Sequence, residues 1–151
     1  MYEVLQWLHE SSPNEVAITA DLARLGLDVD ENTERSHQLA KEAYDRAPND
    51  VNCAVTYALS LQRLGKDSEA VAIIRSLPPE ALHDPHAAVY VSLVLVDATE
   101  LEAAKDYVAA AENGKLYPEE RNVLAEAKAK LITASASPSP AESPPNATPP
   151  L

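Results

Sequence analysis

The sequence has little of what a β-sheet needs. Its 151 residues include no Phe, one Trp and only three Gly. Sheets favour aromatic and β-branched residues, and of these only Val is plentiful here. Ala and Leu dominate instead, and both lose little side-chain freedom in a helix. The composition therefore predicts an all-α protein, and the length suits one domain.

Basic residues are also scarce, since 12 Lys and Arg face 24 Asp and Glu for a formal net charge of −12. Nucleic-acid binding depends on cationic side chains that neutralise phosphates, and an anionic membrane surface attracts the same groups. The charge therefore argues against both. It favours a neutral or basic protein partner, although the charge could equally serve only to keep the protein soluble.

Cysteine occurs once, so the chain cannot form an intramolecular disulfide, and nothing in it demands an oxidising compartment. Cys53 lies in an apolar run, which predicts a buried small side chain rather than a reactive thiol. Residues 1–10 lack the basic segment and apolar core of a signal peptide. No stretch approaches the roughly 20 apolar residues that span a bilayer. For a complete product, these features predict a cytoplasmic location.

An internal repeat of 34 residues organises the middle of the chain, because residues 51–84 align with residues 85–117. Each unit predicts two helices, with Gly65 ending the first helix of the earlier unit and allowing a left-handed residue there. The shift places small residues on small ones and large apolar residues on apolar ones: Tyr57 on Val91, Ala58 on Ser92, Leu61 on Leu95, Ala70 on Ala104, Ile74 on Val108 and Leu77 on Ala111.

A weaker copy of the unit precedes these two, over residues 16–50. Its helices are predicted at about 13–26 and 32–46. Aligning it with the later units leaves one extra residue in the loop 27–33. The sequence thus predicts about three helix-turn-helix repeats.

Two further helices flank the repeats, and together they define a predicted domain over residues 1–133. The closing helix spans residues 118–133, where Pro118 followed by two glutamates is typical of a helix start. Residues 134–151 contain Ala, Ser and Pro with one charged residue, so we predict a disordered tail. Residues 1–10 predict a helix whose apolar face should be buried on the first repeat through Val4, Leu5, Trp7 and Leu8.

These residues together resemble the tetratricopeptide repeat (TPR) family, over roughly residues 13–133. The family places a small residue midway along the first helix, and Ala58 and Ser92 match it. Its conserved alanine early in the second helix corresponds to Ala70 and Ala104. Its glycine before the turn is Gly65, and its closing proline is matched best by Pro48.

The sequence departs from the family pattern at several positions. Thr99 stands where the third unit should have glycine, and Ser36 stands at the alanine position of the first unit. Ala54 and Ala88 replace the aromatic residue near the start of the first helix. Other helical-hairpin repeat classes therefore stay open as alternatives.

The resemblance implies a right-handed superhelix whose concave groove is lined by the first helix of each pair and receives a segment of a partner protein. For the apolar members of the predicted site, packing against a neighbouring helix is an equal alternative. The residues predicted to contact the partner are Asn52, Val55, Thr56, Leu59, Gln62, Arg63, His86, Val89, Tyr90 and Leu93.

One function within the family is the capture of acidic chaperone tails by a clamp of Lys, Arg and Asn residues. This sequence lacks that clamp, so we do not expect it to bind acidic tails. The corresponding positions hold Ala20 and Arg24 (or Asp21 and Leu25), Thr56, His86 and Tyr90.

No motif in the sequence predicts catalysis, a metal or a cofactor. His83 and His86 flank Asp84 and Pro85, but this cluster fits a repeat junction with Asp84 as the N-cap. The carboxylates at positions 28, 30 and 31 predict a solvated loop. We therefore predict a non-catalytic protein-protein interaction module. The alternative is an assembly role, as the end of a longer repeat protein or as a subunit that self-associates through helix 1–10.

Overall fold

The computed structural model describes residues 2–29 and 32–136, and within these ranges every regular element is an α-helix. The all-α prediction is confirmed for this part of the chain. None of the described helices is both long and apolar enough to cross a membrane. The helices are α1 Tyr2–Ser11, α2 Val16–Asp28, α3 Thr33–Arg46, α4 Val51–Arg63, α5 Asp67–Arg75, α6 Pro79–Leu82, α7 Pro85–Asp97, α8 Leu101–Glu112 and α9 Pro118–Ala136.

The predicted 34-residue shift relates the helices of the second and third units. Helices α4 and α7 begin at Val51 and Pro85, and α5 and α8 begin at Asp67 and Leu101. Burial follows the same register, since the paired alanines at positions 70 and 104 are both completely buried. The two hairpins therefore place equivalent residues in equivalent environments.

The helices pack mainly on their neighbours along the chain. Helix α2 contacts α3, α4 contacts α5, and α7 contacts α8. The first helices of successive pairs also meet, α2 with α4 and α4 with α7, and α9 covers both α7 and α8. Because α7 is enclosed on several sides, every residue from Ala88 to Val96 is buried. The core is thus centred on α4 and α7.

The turns after α4 and α7 share one backbone conformation. Gly65 has φ +73° and Thr99 has φ +63°, and the two residues occupy equivalent repeat positions. In the first turn the Lys66 N–H donates to the Leu61 carbonyl at 2.9 Å, and in the second the Glu100 N–H donates to Leu95 at 2.9 Å. This bonding pattern ends a helix with a left-handed residue, which glycine adopts without steric cost.

Replacing Thr99 with glycine is therefore expected to raise the free energy of unfolding by about 1 kcal/mol. A β-branched residue in the left-handed region carries a steric penalty of about 1–2 kcal/mol, and the extra freedom of glycine in the unfolded chain offsets part of the gain. Urea denaturation monitored by circular dichroism measures the difference. Gly65→Ala is the matched control, and it should lose about 1 kcal/mol. If Thr99→Gly lowered the free energy of unfolding, the inferred backbone strain at Thr99 would be wrong.

Several helix boundaries differ from the predicted ones. Helix α2 begins at Val16 and continues to Asp28, beyond the predicted end at residue 26. The short helix α6 was not predicted, and it begins at Pro79, which suits a first helical position because proline lacks an N–H. Helix α9 continues to Ala136 instead of ending at Thr133. The remainder of the predicted tail, residues 137–151, lies outside the described residues.

The predicted burial of the α1 face is wrong for two of its four residues. Val4 is 60% exposed and Trp7 is 64% exposed, and no residue of α1 is fully buried. Helix α1 packs mainly on α2, so a single neighbour covers only one side of it. Leu5 and Leu8 are half-buried, while Val4 and Trp7 face outward.

Candidate partner-binding groove

Two adjoining cavities lie where α2, α4 and α7 face the start of α9. The first has a volume of about 320 Å³ and the second about 370 Å³. Four residues line both cavities, and they are Arg24, Tyr90, Tyr117 and Glu120. We call the two cavities together the groove.

Arg24 joins α2 to α4 at the boundary between the two cavities. Its guanidinium donates to Asp21 at 2.8 Å and also to the Asn52 side-chain oxygen. The Asn52 amide donates to Asp21 at 3.1 Å, which closes a three-residue network. The guanidinium carbon also lies 5.3 Å from the centre of the Tyr90 ring, within the range of a cation–π contact. The charge of Arg24 is therefore already engaged within the fold.

Asp28 is a partly buried carboxylate in the last turn of α2. The Tyr90 hydroxyl donates to its Oδ2 at 3.3 Å, while its buried Oδ1 has no hydrogen-bond partner among the described residues. Burial raises the pKa of Asp28 to about 6, although nearby Arg24 opposes this shift. The predicted solvated loop is wrong for Asp28, because α2 continues through this residue and Tyr90 of α7 donates a hydrogen bond to it. The carboxylates at positions 30 and 31 lie outside the described residues.

Glu120 fixes the start of α9 against α7. It is only 4% exposed, and its Oε2 accepts the Tyr117 backbone N–H at 2.9 Å, as in half of a capping box. The same oxygen lies 2.8 Å from Nδ1 of His86, whose ring stacks on Tyr117 with centroids 5.2 Å apart. Gly114, in the loop before α9, lies directly against Pro85 at the start of α7. A Cβ at position 114 would overlap the ring of Pro85, so glycine allows this close contact. The result is a fixed wall on the α9 side of the groove.

The structure separates the ten predicted partner-contacting residues into two groups. Asn52, Val55, His86 and Tyr90 line the first cavity, although Val55 and Tyr90 are each only 2% exposed. The other six line neither cavity of the groove. Five of those six are buried, and the sixth, Arg63, keeps part of its side chain at the surface. The buried residues are Thr56, Leu59, Gln62, Val89 and Leu93. A partner bound to the chain as folded would meet almost none of their side-chain surface.

The side chains of Gln62 and Arg63 are engaged near helix α9 within the fold. The Arg63 guanidinium lies 3.4 Å from Glu126, and Lys130 lies 2.9 Å from Asp97. Gln62 donates to the same Asp97 carboxylate. These polar residues hold α9 across the ends of α4 and α7, where the sequence alone suggested an open concave surface.

The groove residues that the sequence analysis did not place in the site include Asp28, Tyr117 and Glu120. For Glu120 the Pro-Glu-Glu helix start was visible, but nothing in the sequence indicates that this glutamate reaches α7. Tyr117 is 64% exposed and precedes α9, so no periodic pattern includes it. Asp28 lies 62 residues from Tyr90, and only the fold brings the two together.

The other polar clusters do not add a reactive centre to the described part of the chain. His83 donates from Nδ1 to the Pro79 carbonyl oxygen at 2.7 Å, and its ring packs on Tyr107. Asp84 caps α7 through the His86 and Ala87 N–H groups, as predicted. Across residues 2–29 and 32–136 no three His, Cys, Asp or Glu side chains are grouped to hold a metal ion.

Cys53 is buried, as predicted, and has no disulfide partner. Burial raises the pKa of its thiol to about 12, so it carries almost no thiolate near neutral pH. The described side chains of the groove supply aromatic surface, carboxylates and a fixed guanidinium.

Comparison with known proteins gives no independent assignment, because no family model, no curated protein and no solved structure matches the chain. The resemblance to the tetratricopeptide repeat family stays a prediction that depends on the repeat pattern.

Proposed function

We propose that the chain is a non-catalytic, tetratricopeptide-like repeat module that binds a segment of a partner protein in the groove. The observation that carries the proposal is the pair of adjoining cavities that share Arg24, Tyr90, Tyr117 and Glu120. The α2–α4 and α4–α7 contacts fit hairpins stacked in chain order, and the family resemblance implies that such a stack forms a right-handed superhelix with a concave groove.

The lining of the groove fits a peptide-like ligand. Its walls combine two tyrosines and several aliphatic side chains with a few polar groups in fixed positions, which is typical of a recognition site. Arg24, Asn52 and Glu120 are held by hydrogen bonds within the fold, so they need little reordering when a partner binds. Their fixed geometry supports recognition of an extended or helical segment.

Replacing Tyr117 with alanine is expected to reduce partner binding about tenfold, because exposed tyrosines at the centre of an interface contribute strongly to affinity. The test is quantitative affinity capture from native lysate with the wild-type chain and the variant. Ile132→Ala is the matched control, since Ile132 is 69% exposed at the far end of α9 and does not line the groove.

Proteins depleted from the Tyr117→Ala capture and retained by Ile132→Ala would be the groove partners. Circular dichroism confirms equal helicity, and both side chains are exposed enough that their truncation should leave the fold intact. If both variants recover the same proteins as the wild type, the groove is not the binding site.

A second candidate function is self-association or assembly through α1. The observation that favours it is the outward apolar surface of this helix, with Val4 60% and Trp7 64% exposed. Sedimentation over a wide concentration range distinguishes the candidates. Association that rises with concentration and is abolished by Trp7→Glu would favour assembly, whereas a monomer throughout would exclude it.

A further inference from the structure

We propose that the second cavity of the groove binds a lysine or arginine side chain of the partner segment, with the Asp28 carboxylate as its counter-ion. This inference rests on the proposed function and adds the chemistry of the residue that the groove recognises. The cavity lies between α2 and the start of α9, and Leu5 of α1 closes one side.

The charges around this cavity are unbalanced. Four carboxylates line it, against the single guanidinium of Arg24. Arg24 is engaged with Asp21 and Asn52, and Glu120 is engaged with His86 and the Tyr117 backbone N–H. Neither Asp28 nor Glu119 forms an ion pair with any residue that the structure describes. A cationic side chain supplies the missing charge.

Asp28 also needs hydrogen-bond donors. Its Oδ1 is buried without a partner among the described residues, and a buried carboxylate oxygen in that state is costly. Lys and Arg side chains carry donors and no acceptors, so they match this site. An acidic side chain would add repulsion, and an aliphatic one would leave Asp28 unsatisfied.

The remaining walls suit the apolar stem of a long basic side chain. Leu5, Leu25 and Pro118 contribute aliphatic surface, and Tyr90 and Tyr117 contribute aromatic rings. Lys and Arg bury their methylene stems along such surfaces and place the charged end against a carboxylate or an aromatic face. The cavity of about 370 Å³ has room for one such side chain.

The charged and titratable groups that face Asp28 belong to four helices. Arg24 is on α2, Arg63 on α4, Tyr90 on α7 and Glu120 on α9. With the pKa of Asp28 near 6, a ligand that needs its carboxylate should bind about tenfold more weakly at pH 5 than at pH 7.5.

The experiment is a selection of displayed random 12-residue peptides on the full chain, followed by affinity measurements on synthetic copies. We expect the selected peptides to share a Lys or Arg whose replacement by norleucine or citrulline lowers affinity about tenfold. Asp28→Asn should lower the affinity for the basic peptides by a similar factor and should make that affinity nearly independent of pH. It should not change the affinity for the peptides that carry norleucine or citrulline. Glu102→Gln removes an exposed carboxylate outside the groove and should change nothing.

Two outcomes would overturn this inference, and they differ in what they say about the groove. Peptides that need no basic residue, yet lose affinity with Tyr117→Ala, would overturn the basic-residue inference and leave groove binding intact. Peptides whose affinity is unchanged in both Asp28→Asn and Tyr117→Ala would overturn the inference and count against the groove as the binding site.

Discussion

Asp28→Asn is expected to raise the free energy of unfolding at pH 7 by about 1–3 kcal/mol. Burial raises the pKa of this carboxyl from 3.8 to about 6, so the folded chain holds an ionised group that its surroundings disfavour. A shift of about two pKa units corresponds to about 3 kcal/mol, which sets the upper end of the range. Asparagine keeps the shape of the side chain and removes the charge.

The sign of the pH dependence follows from the direction of the shift. Between about pH 4 and pH 6 the folded state binds more protons at Asp28 than the unfolded state does. The wild-type chain therefore becomes less stable through this group as the pH rises across that window. The gain from Asp28→Asn should be largest above pH 6 and should vanish near pH 4.

Urea denaturation of both proteins between pH 4 and pH 8 tests this expectation, with Glu102→Gln as a control that removes an exposed carboxylate. A loss of stability in Asp28→Asn at pH 7 would show that the carboxylate is structural. The expected gain, combined with weaker binding of basic peptides, would show a residue that is retained for binding at the expense of stability.

Leu59→Ala is expected to lower the free energy of unfolding by about 2–5 kcal/mol, the range for truncation of a fully buried leucine. The side chain of Leu59 lies in α4 and has no exposed surface. Its position in the repeat suggested a partner contact, for which truncation would cost affinity and little stability. The experiment therefore separates a core residue from a groove residue.

The matched control is Leu64→Ala, because Leu64 is the C-cap that directly follows the same helix and is 38% exposed. We expect Leu64→Ala to cost clearly less than Leu59→Ala in thermal or urea denaturation. Equal and small effects of the two substitutions would contradict the burial of Leu59 and reopen its role as a surface contact.

The features that the sequence predicts well are those set by local chemistry. The 34-residue shift places Gly65 and Thr99 at equivalent turns, and both have positive φ. Asp84 caps α7 as its position before Pro85 indicates. Helix periodicity, capping residues and proline breaks act within a few residues of one another, so one sequence is enough to locate the hairpins.

The groove depends on contacts that no local pattern encodes. Helix α7 is apolar on all sides, so its sequence does not show which face meets solvent. The family resemblance predicts Val89 and Leu93 in the groove, with helix packing as the alternative, and both are fully buried. His86 and Glu120 lie 34 residues apart in the chain, and their contact exists only because α9 folds back onto α7.

The N-terminal helix shows that a sequence pattern can locate an apolar face without showing how much of it is buried. Its amphipathic pattern predicts that one face packs on the domain, and one side of the helix does pack on α2. The pattern does not show how many neighbouring helices surround it. With α2 as its main neighbour, Leu5 and Leu8 are partly covered while Val4 and Trp7 stay exposed. The extent of burial is set by the helices around α1, which the periodicity of residues 1–10 cannot reveal.

Photo-crosslinking from the groove is the most direct test of the central claim that the groove binds a partner protein. A photoreactive phenylalanine analogue would replace Tyr117, and a second protein would carry it at Ile132 as the control. We predict that a distinct protein crosslinks to position 117 and that position 132 gives no such adduct. Equal crosslinking from both positions, or crosslinks from position 117 only to a second copy of the chain, would contradict the claim.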